Sequence, residues 1–188
     1  MLLANPQFAA DPAAPAAERQ YRQLHGTKGI LLIDPKSVRK VVARARKLAK
    51  EFREVCGALV EHGGVVALVE TRNRRRRAGS FWINPTDWKK IRNAAKTLGS
   101  EVVGTFHSHV VADPVPGPGD IRGAYEGHAM IIIDAWTSEL RAWRIRGERA
   151  YRLRHRFLGP SANPLSQRTG ASVALRATSR ARAERQYR

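Results

Sequence analysis

A histidine pair and a downstream aspartate form the strongest functional pattern in the chain. His107 and His109 are separated by one residue, and Asp120 follows after a loop rich in proline and glycine. In a β-strand, residues i and i+2 point to the same face, so the two imidazoles would project together. The loop excludes regular structure and lets Asp120 return to them. Two histidines and one carboxylate leave a fourth tetrahedral position for water, which is typical of a catalytic zinc site.

Hydrolysis at such a site also needs a base that is not itself a ligand. Glu54 is the candidate, because it opens the apolar run 54–60, which is predicted to be a strand in which a carboxylate has no packing use. Spacing alone leaves non-catalytic interpretations open: the histidines could be partly exposed and hydrogen-bonded, and Glu54 could be a solvated carboxylate at a strand end. Asp113, inside the loop, is a minor alternative to Asp120 as a ligand.

The single cysteine, Cys56, excludes an internal disulfide and a cysteine-rich zinc site, so a metal would need histidine and carboxylate ligands. Cys56 lies two residues beyond Glu54 and would face the same side of the strand. A cysteine nucleophile paired with His107 is therefore a further alternative. It is a weak one, because buried cysteine is more often a small packing residue.

Together with their flanking residues, these motifs resemble the JAMM metallopeptidases of the JAB/MPN family, in particular the prokaryotic-type, deubiquitinase-like members. The resemblance covers about residues 28 to 155 and rests on Glu54 with Cys56-Gly57, Asn73, Phe81-x-Ile83-x-Pro85, Gly104-Thr-Phe-His107-Ser-His109 and Pro116-x-x-x-Asp120. It implies one zinc ion held by His107, His109 and Asp120, with Glu54 as general acid/base. It also implies an α+β, α/β/α-like fold, in which helices flank a curved mixed β-sheet.

One position departs from the family pattern. Seven residues after His109 the family has a serine that helps to stabilise the oxyanion, and this chain has Gly117. Loss of one such donor costs about 10²–10³ in rate, so activity could survive at a lower level. Two alternatives are that a backbone N–H of the loop replaces the serine, or that the protein is a catalytically weak or inactive scaffold. The presence of all three ligands and the base favours catalysis.

The resemblance implies hydrolysis of a peptide or isopeptide bond, with zinc-bound water as the nucleophile. The implied partner is a ubiquitin-like or sulfur-carrier protein whose extended C-terminal tail enters a groove beside the zinc. The candidates to face this substrate are Ser108, Arg74, Arg75, Arg76 and Arg77. Dimers are common among similar proteins, and no residue here decides that point.

Local signals predict the elements that must position these residues. Asp34-Pro35 and Asn84-Pro85 each predict a helix start, with an N-cap side chain followed by proline. The first helix would bury Val38, Val41, Val42, Ala45, Leu48, Ala49 and Phe52, and the second Trp88, Ile91, Ala95 and Leu98, with Gly99 as its C-terminal cap. A short helix is predicted after Asp120. Besides the two strands that carry the site, the predicted strands are Ile30–Ile33, Val65–Glu70, Phe81–Ile83, Ala129–Ile133 and Leu140–Ile145.

Composition indicates one domain with an extension at each end. The chain has 188 residues, of which 43% are hydrophobic, and we expect a folded domain at 27–158, an Ala/Pro-rich arm at 1–26 and a basic, disordered tail at 159–188. No apolar run approaches a membrane span, so we expect a cytoplasmic protein.

The net charge of +18 suggests an acidic protein partner, or non-specific contact between nucleic acid and the basic loop 72–77 or the tail. A RadC-like, nucleic-acid-associated protein is a further alternative. It ranks below a protein partner, since no aromatic residues interleave the basic loop.

Overall fold

The computed structural model describes residues 30–75, 77 and 79–159, and it contains seven strands and three helices within those residues. The arm at 1–26 and residues 160–188 of the predicted tail lie outside the described residues. In chain order the elements are β1 Ile30–Ile33, α1 Pro35–Ala49, β2 Cys56–His62, β3 Val65–Thr71, α2 Pro85–Thr97, β4 Glu101–His109, α3 Pro118–Gly123, β5 Ala129–Asp134, β6 Leu140–Arg146 and β7 Arg149–Phe157.

The strands form one mixed sheet that closes on itself in the order β1-β3-β2-β4-β5-β6-β7. β1 runs parallel to both of its neighbours, and β4 runs parallel to β5, while the other pairs are antiparallel. The predicted α+β class and mixed sheet are confirmed. Closure depends on β7, which the sequence analysis did not predict and which pairs with β1 from Ile30↔Arg154 to Ile33↔Phe157.

Helix α1 begins as predicted, because the Asp34 side chain accepts hydrogen bonds from Lys36 N at 3.1 Å and Ser37 N at 2.9 Å. Its buried face consists of Val38, Val41, Ala45, Leu48 and Ala49. The prediction for Phe52 was wrong. The helix ends at Ala49, and Phe52 has a φ of 54° and a side chain that is 58% exposed.

Helix α2 also begins as predicted, with Asn84 accepting a hydrogen bond from Thr86 N at 2.9 Å, and Gly99 follows its end at a φ of 63°. Its contact with the core is smaller than predicted. Ala95 is buried, whereas Trp88 and Ile91 are half-buried and Leu98 is exposed. Among the described residues, no helix combines the length and apolar character needed to cross a membrane.

The prediction of a strand at Phe81–Ile83 was wrong, because this segment is a loop. Its central residue bonds to the start of the basic loop rather than to a sheet ladder. Trp82 N donates to the Asn73 side chain at 3.1 Å, and Trp82 O accepts from Arg74 N at 3.1 Å. The two segments therefore form one structured loop region beside the sheet.

Strands β2 and β4 lie side by side in the middle of the sheet, with Cys56 opposite His107 and Gly57 opposite Phe106. Close approach here requires glycine. A Cβ atom on Gly57 would lie 2.1 Å from Val69 O, and one on Gly104 would lie 1.9 Å from Ala129 O. Gly104 thus lets β4 approach β5, and Gly57 leaves room on β2 for β3 and for the Phe106 ring of β4, 2.6 Å from where its Cβ would lie.

Candidate metal centre

The three predicted ligands converge on one point. His107 and His109 leave the same face of β4, as alternation requires, and their Nε2 atoms are 3.1 Å apart. Asp120 lies in α3, which begins two residues before it rather than after it as predicted. Its Oδ1 lies 3.3 Å from His107 Nε2, and its Oδ2 lies 3.7 Å from His109 Nε2. The candidate ligand atoms all lie within 4.8 Å of one another.

This spacing fits a zinc ion. Zinc binds imidazole nitrogen and carboxylate oxygen at about 2.0–2.2 Å in a tetrahedral arrangement, which places ligand atoms about 3.3–3.5 Å from each other. The distances of 3.1, 3.3 and 3.7 Å bracket that value. The chain thus contributes three ligand atoms of suitable type and separation, and the fourth position of a tetrahedral zinc site would face the open cleft.

Each imidazole is held in place by a different contact. His109 Nδ1 donates a hydrogen bond to the carbonyl oxygen of Asp113 at 2.7 Å. The lone pair of His109 Nε2 is therefore available to bind a metal. The His107 ring stacks on Phe81, with centroids 4.5 Å apart and planes at 21°. His107 Nδ1 has no hydrogen-bond partner among the described residues, so packing rather than a polar contact orients this ring. Asp113 serves the site through its backbone, and its carboxylate is not part of the ligand cluster.

The electrostatics of the cluster favour an ionised carboxylate. Burial alone would raise the pKa of Asp120, but the adjacent imidazoles of His107 and His109 and the hydrogen bond from the Gly117 N–H hold that pKa well below its usual range. Burial would lower the pKa of His109, but the adjacent Asp120 carboxylate and the hydrogen bond to the Asp113 carbonyl raise it. In the absence of metal, the charges of carboxylate and imidazole thus stabilise each other across the site.

Glu54 lies beside this cluster and is 4% exposed, so it is not a solvated strand-end residue. It sits two residues before β2 begins, where the chain turns into the sheet. Burial raises the pKa of Glu54, and the charges of His107 and His109 partly oppose that rise. Glu54, His109 and Asp120 line one open cleft of about 210 Å³. A buried carboxyl with a raised pKa beside a metal cluster is suited to accept and return a proton.

The expectation that Ser108 faces a substrate was wrong. Its side chain is fully buried on the opposite side of β4 from the histidines. Val55 N donates to Ser108 Oγ at 3.0 Å, and Ser108 N donates to Val55 O at 2.9 Å. Because Val55 follows Glu54 directly, this pair of hydrogen bonds fixes the base relative to the histidine strand.

Asn73 is a second support, which the sequence analysis named among the residues that carry the family resemblance but to which it gave no role in the site. Its Nδ2 donates to Glu54 O at 3.0 Å and to Ser80 O at 3.2 Å, and its Oδ1 accepts from Arg75 N and Trp82 N. The residue is 8% exposed. In the sequence, the signal for a role of Asn73 was that this single amide residue lies directly before a run of arginines. Asn73 therefore connects the backbone of Glu54 to Arg75 of the basic loop and to the segment 80–82.

The basic loop contributes unequally to the cleft. Arg75 lines it together with Glu54 and Asp120. Arg74 instead forms an ion pair with Asp87 of α2, with Nη2 3.2 Å from Oδ2. Arg77 is exposed, and Arg76 lies outside the described residues. Of the four arginines expected to face a substrate, Arg75 is the one with a described position at the metal cluster.

Gly117 occupies the N-cap of α3, and its N–H donates to Asp120 Oδ2 at 2.8 Å. The hypothesis that a loop amide replaces the missing serine therefore fails for this amide, because it already binds a ligand side chain. The backbone does not require glycine here, since φ is −79° and a Cβ atom would lie 3.5 Å from Asp120 Oδ2. A serine would fit at this position without strain.

Cys56 is buried and faces His107 across the β2–β4 pair. Burial, with smaller effects from the charges of Glu54 and Glu70, raises the pKa of the Cys56 thiol to about 12. The nucleophilic form of cysteine is the thiolate. Cys56 is therefore a packing residue, and the cysteine-nucleophile alternative has no support in the structure.

Comparison with known proteins agrees with this geometry. Residues 35–146 match the family model described as prokaryotic homologs of the JAB domain. A desampylase from Pyrococcus furiosus is 32% identical over 91 residues, which are 48% of this chain and 65% of that relative. The match thus spans less than two thirds of the relative's length.

Among solved structures, one superposes well on this chain and another more weakly. A solution structure from Desulfitobacterium hafniense superposes with a TM-score of 0.59 at 17% identity, covering 69% of this chain and 93% of that one. A JAB1/MPN domain protein from Archaeoglobus fulgidus gives a TM-score of 0.45 at 15% identity, covering 66% and 98%. The family match covers more than half of the chain and spans β2 through β6, including all three candidate ligands. The chain has the JAB/MPN fold and belongs to the prokaryotic JAB-domain (JAMM) family.

Proposed function

We propose that this protein is a JAMM-type zinc metallopeptidase that cleaves a peptide or isopeptide bond at the C-terminus of a ubiquitin-like or sulfur-carrier protein. One observation carries the proposal: the side chains of His107, His109 and Asp120 converge at the distances that zinc requires, with the buried Glu54 in the same cleft. A structural zinc site would use a fourth protein ligand, and the described residues form a group of three.

Zinc, when bound to these ligands, would polarise the scissile carbonyl and lower the pKa of a water molecule. Glu54 would accept the proton of the attacking water and donate it to the departing amine. Its raised pKa suits both roles, because a carboxyl that holds a proton more readily than usual can carry it between the two steps. The Val55–Ser108 and Asn73–Glu54 hydrogen bonds would keep this carboxyl at a fixed distance from the histidines.

The substrate class rests on the form of the cleft and on the relative. The cleft is small and open to solvent, which favours an extended tail of small residues, such as one ending in Gly-Gly, over a folded surface. Arg75 on its rim would attract an acidic partner. The relative named a desampylase supports a ubiquitin-like partner.

Zinc content and cleavage should be measured together on three proteins: wild type, His109→Ala and Glu54→Gln. We expect about one zinc per chain in the wild type and in Glu54→Gln, and little in His109→Ala, by elemental mass spectrometry. Cleavage of a fusion in which a Gly-Gly-ended ubiquitin-like domain precedes a reporter should occur in the wild type alone. Wild-type turnover by Glu54→Gln would refute the role of the base, and a folded wild type that takes up no zinc would refute the metal site.

A non-catalytic scaffold is the second candidate, and Gly117 favours it. The oxyanion would lack the serine hydroxyl, and the Gly117 N–H is bonded to Asp120. This scaffold would bind a ubiquitin-like partner without turnover. The ionised ligand carboxylate and the buried base favour the enzyme, since binding alone requires neither.

A further inference from the structure

Two tryptophans bind the segment 110–117, which we call the ligand loop because it joins the histidine strand β4 to helix α3. Trp136 lies in the turn after β5, and Trp143 lies in β6. Each donates its indole N–H to a carbonyl oxygen of the ligand loop. Trp136 Nε1 lies 2.8 Å from Val110 O, and Trp143 Nε1 lies 3.0 Å from Pro114 O. The strands beside the metal centre thus hold the ligand loop at two points.

The ligand loop has little structure of its own. It contains no helix and no strand before α3, and the side chains of residues 111–113 and of Val115 are exposed. Val111 is 76% exposed, whereas Pro114 is fully buried. A segment with so few buried contacts takes its position from the bonds that attach it to its surroundings. The bond to the carbonyl of Pro114 is therefore important for the shape of the loop.

The indole of Trp143 is the fixed partner in that bond. Its strand, β6, is paired on both sides, with β5 and with β7. The guanidinium carbon of Arg152 lies 5.2 Å from the centroid of the Trp143 ring and covers one face of it. An indole N–H can only donate a hydrogen bond. A donor on a ring held in this way determines where the acceptor carbonyl lies.

The carbonyl that Trp143 holds is next to the one that orients His109. His109 Nδ1 donates to Asp113 O at 2.7 Å, and Val115 N donates to the same oxygen at 2.7 Å. Pro114 lies between them, and its ring restricts the backbone of this turn. Trp143 therefore anchors the turn whose carbonyl fixes the His109 ring. Loss of such a partner of a metal-binding histidine commonly lowers metal affinity about 10- to 100-fold.

Trp143 also contacts the support of the third ligand. A small apolar cluster outside the main core consists of Met130, Ile132 and Ile145. It lies on the histidine face of the sheet, because Ile132 pairs with His107 in the β4–β5 ladder. Trp143 packs against this cluster, and so does Ile121, which follows Asp120 in α3. One side chain thus adjoins the turn that orients His109 and the apolar contacts that seat α3.

We propose that Trp143 is a positioning residue of the metal centre, which acts on His109 through the carbonyl of Pro114. This inference rests on the zinc site of the proposed function. Trp136 has the smaller effect, because its end of the ligand loop is also fixed by the bond from Ala135 N to His109 O at 3.0 Å. Both indoles act through the backbone of the loop, so their effect is on the geometry and affinity of the metal site.

The test compares the zinc affinity of the full chain with that of three single variants: Trp143→Phe, Trp136→Phe and the control Trp88→Phe. Each variant keeps an aromatic ring and loses one indole N–H. Trp88 is a matched control, because it is half-buried like Trp143, lies on α2 and does not line the cleft of the metal ligands. Zinc affinity is measured by competition with a fluorescent chelator on protein prepared without metal. Urea unfolding shows that each variant is folded under the conditions of the titration.

We expect Trp143→Phe to bind zinc about 10-fold more weakly, Trp136→Phe less than about 3-fold more weakly, and Trp88→Phe as tightly as the wild type. A general loss of stability does not change the zinc affinity of protein that is still folded, so this readout separates positioning from structural support. If the wild type binds zinc and Trp143→Phe binds it equally tightly, the inference is wrong while the proposed function stands. An equal loss in Trp88→Phe would also overturn the inference. A folded wild type that binds no zinc would overturn both.

A measurement on the wild type keeps the test decisive if Trp143→Phe does not fold. The chain has four tryptophans, so the Phe variants of Trp82, Trp88 and Trp136 assign three indole N–H signals in a nitrogen–proton NMR spectrum and leave that of Trp143. Addition of zinc should shift the Trp143 signal more than the Trp88 signal, because successive hydrogen bonds connect this indole to His109. A Trp143 signal that moves no more than that of Trp88 would show that the indole is not coupled to the metal site, and the inference would fail.

Discussion

Replacing Asn73 tests whether the hydrogen bond from Asn73 to the Glu54 backbone positions the Glu54 carboxyl beside the metal ligands. Asn73→Ala would remove four hydrogen bonds, two of them donated to Glu54 O and Ser80 O and two accepted from the backbone amides of Arg75 and Trp82. Each neutral hydrogen bond contributes about 1 kcal/mol net, which sets an upper value of about 4 kcal/mol. Water can reach part of this surface loop, so we expect a loss of about 2–3 kcal/mol in the free energy of unfolding.

The matched control is Asn84→Ala, because Asn84 is a half-buried asparagine with a single capping bond, to Thr86 N. Loss of an N-cap costs about 1 kcal/mol. Both variants should be unfolded in urea, and their zinc content and cleavage rate should be measured in parallel. We expect Asn73→Ala to keep its zinc while kcat falls about 10- to 100-fold, since displacement of a catalytic group by about 1 Å has effects of this size. Asn84→Ala should keep its kcat.

Three results would contradict the reasoning. If Asn73→Ala unfolds at the same urea concentration as Asn84→Ala, the four hydrogen bonds do not stabilise the loop as their geometry indicates. If kcat is unchanged although stability falls, Asn73 supports the loop but not Glu54. Loss of zinc together with kcat would show instead that Asn73 acts through the metal ligands.

Three further outcomes follow from the same geometry. Gly117→Ser should raise the cleavage rate about 10-fold or more and change stability by less than about 0.5 kcal/mol, because φ and the space beside Asp120 suit a serine; an unchanged rate in a protein that still binds its partner would favour the scaffold. In metal-free protein, Glu54→Gln should raise Tm at pH 7, because the folded-state pKa of Glu54 lies above its ordinary 4.5 and wild-type stability therefore falls as pH rises from 4.5 through that folded-state pKa. The difference in Tm between variant and wild type should disappear below pH 4.5, and a difference that does not change with pH would contradict this. Cys56 should resist iodoacetamide at pH 8, because its thiol is buried and its pKa is about 12, and rapid labelling of the folded protein would show that it is accessible.

The parts of the fold that local chemistry determines could be predicted from sequence. Asp34-Pro35 and Asn84-Pro85 specify helix starts through side chains that bond to amides two or three residues away. Alternation along β4 was sufficient to place His107 and His109 on one face. These interactions join residues that are close in sequence, so capping motifs and strand alternation were sufficient to predict them.

The remaining features depend on contacts between distant segments. Phe81–Ile83 has the composition of a strand, but hydrogen bonds between Trp82 and the 73–74 segment hold it as a loop. Ser108 was expected to face the substrate, but its burial follows from the position of β4 between β2 and β5, which no local pattern indicates. β7 escaped prediction because its arginines give it no apolar pattern, and its pairing with β1 and β6 is what makes it a strand.

Closure of the sheet has a consequence for how the chain folds during synthesis. β1 has a single register pair with β3, Ile33↔Val66, and four with β7. Until the ribosome has released residues 149–157, most of the backbone hydrogen bonds of β1 have no partner, and the edge of β6 is exposed as well. Pairing between segments so far apart in sequence is slow, and unpaired edges favour association between chains. The nascent protein therefore passes through a stage in which its metal ligands have been made but its sheet is still open, and chaperone protection would matter most at that stage.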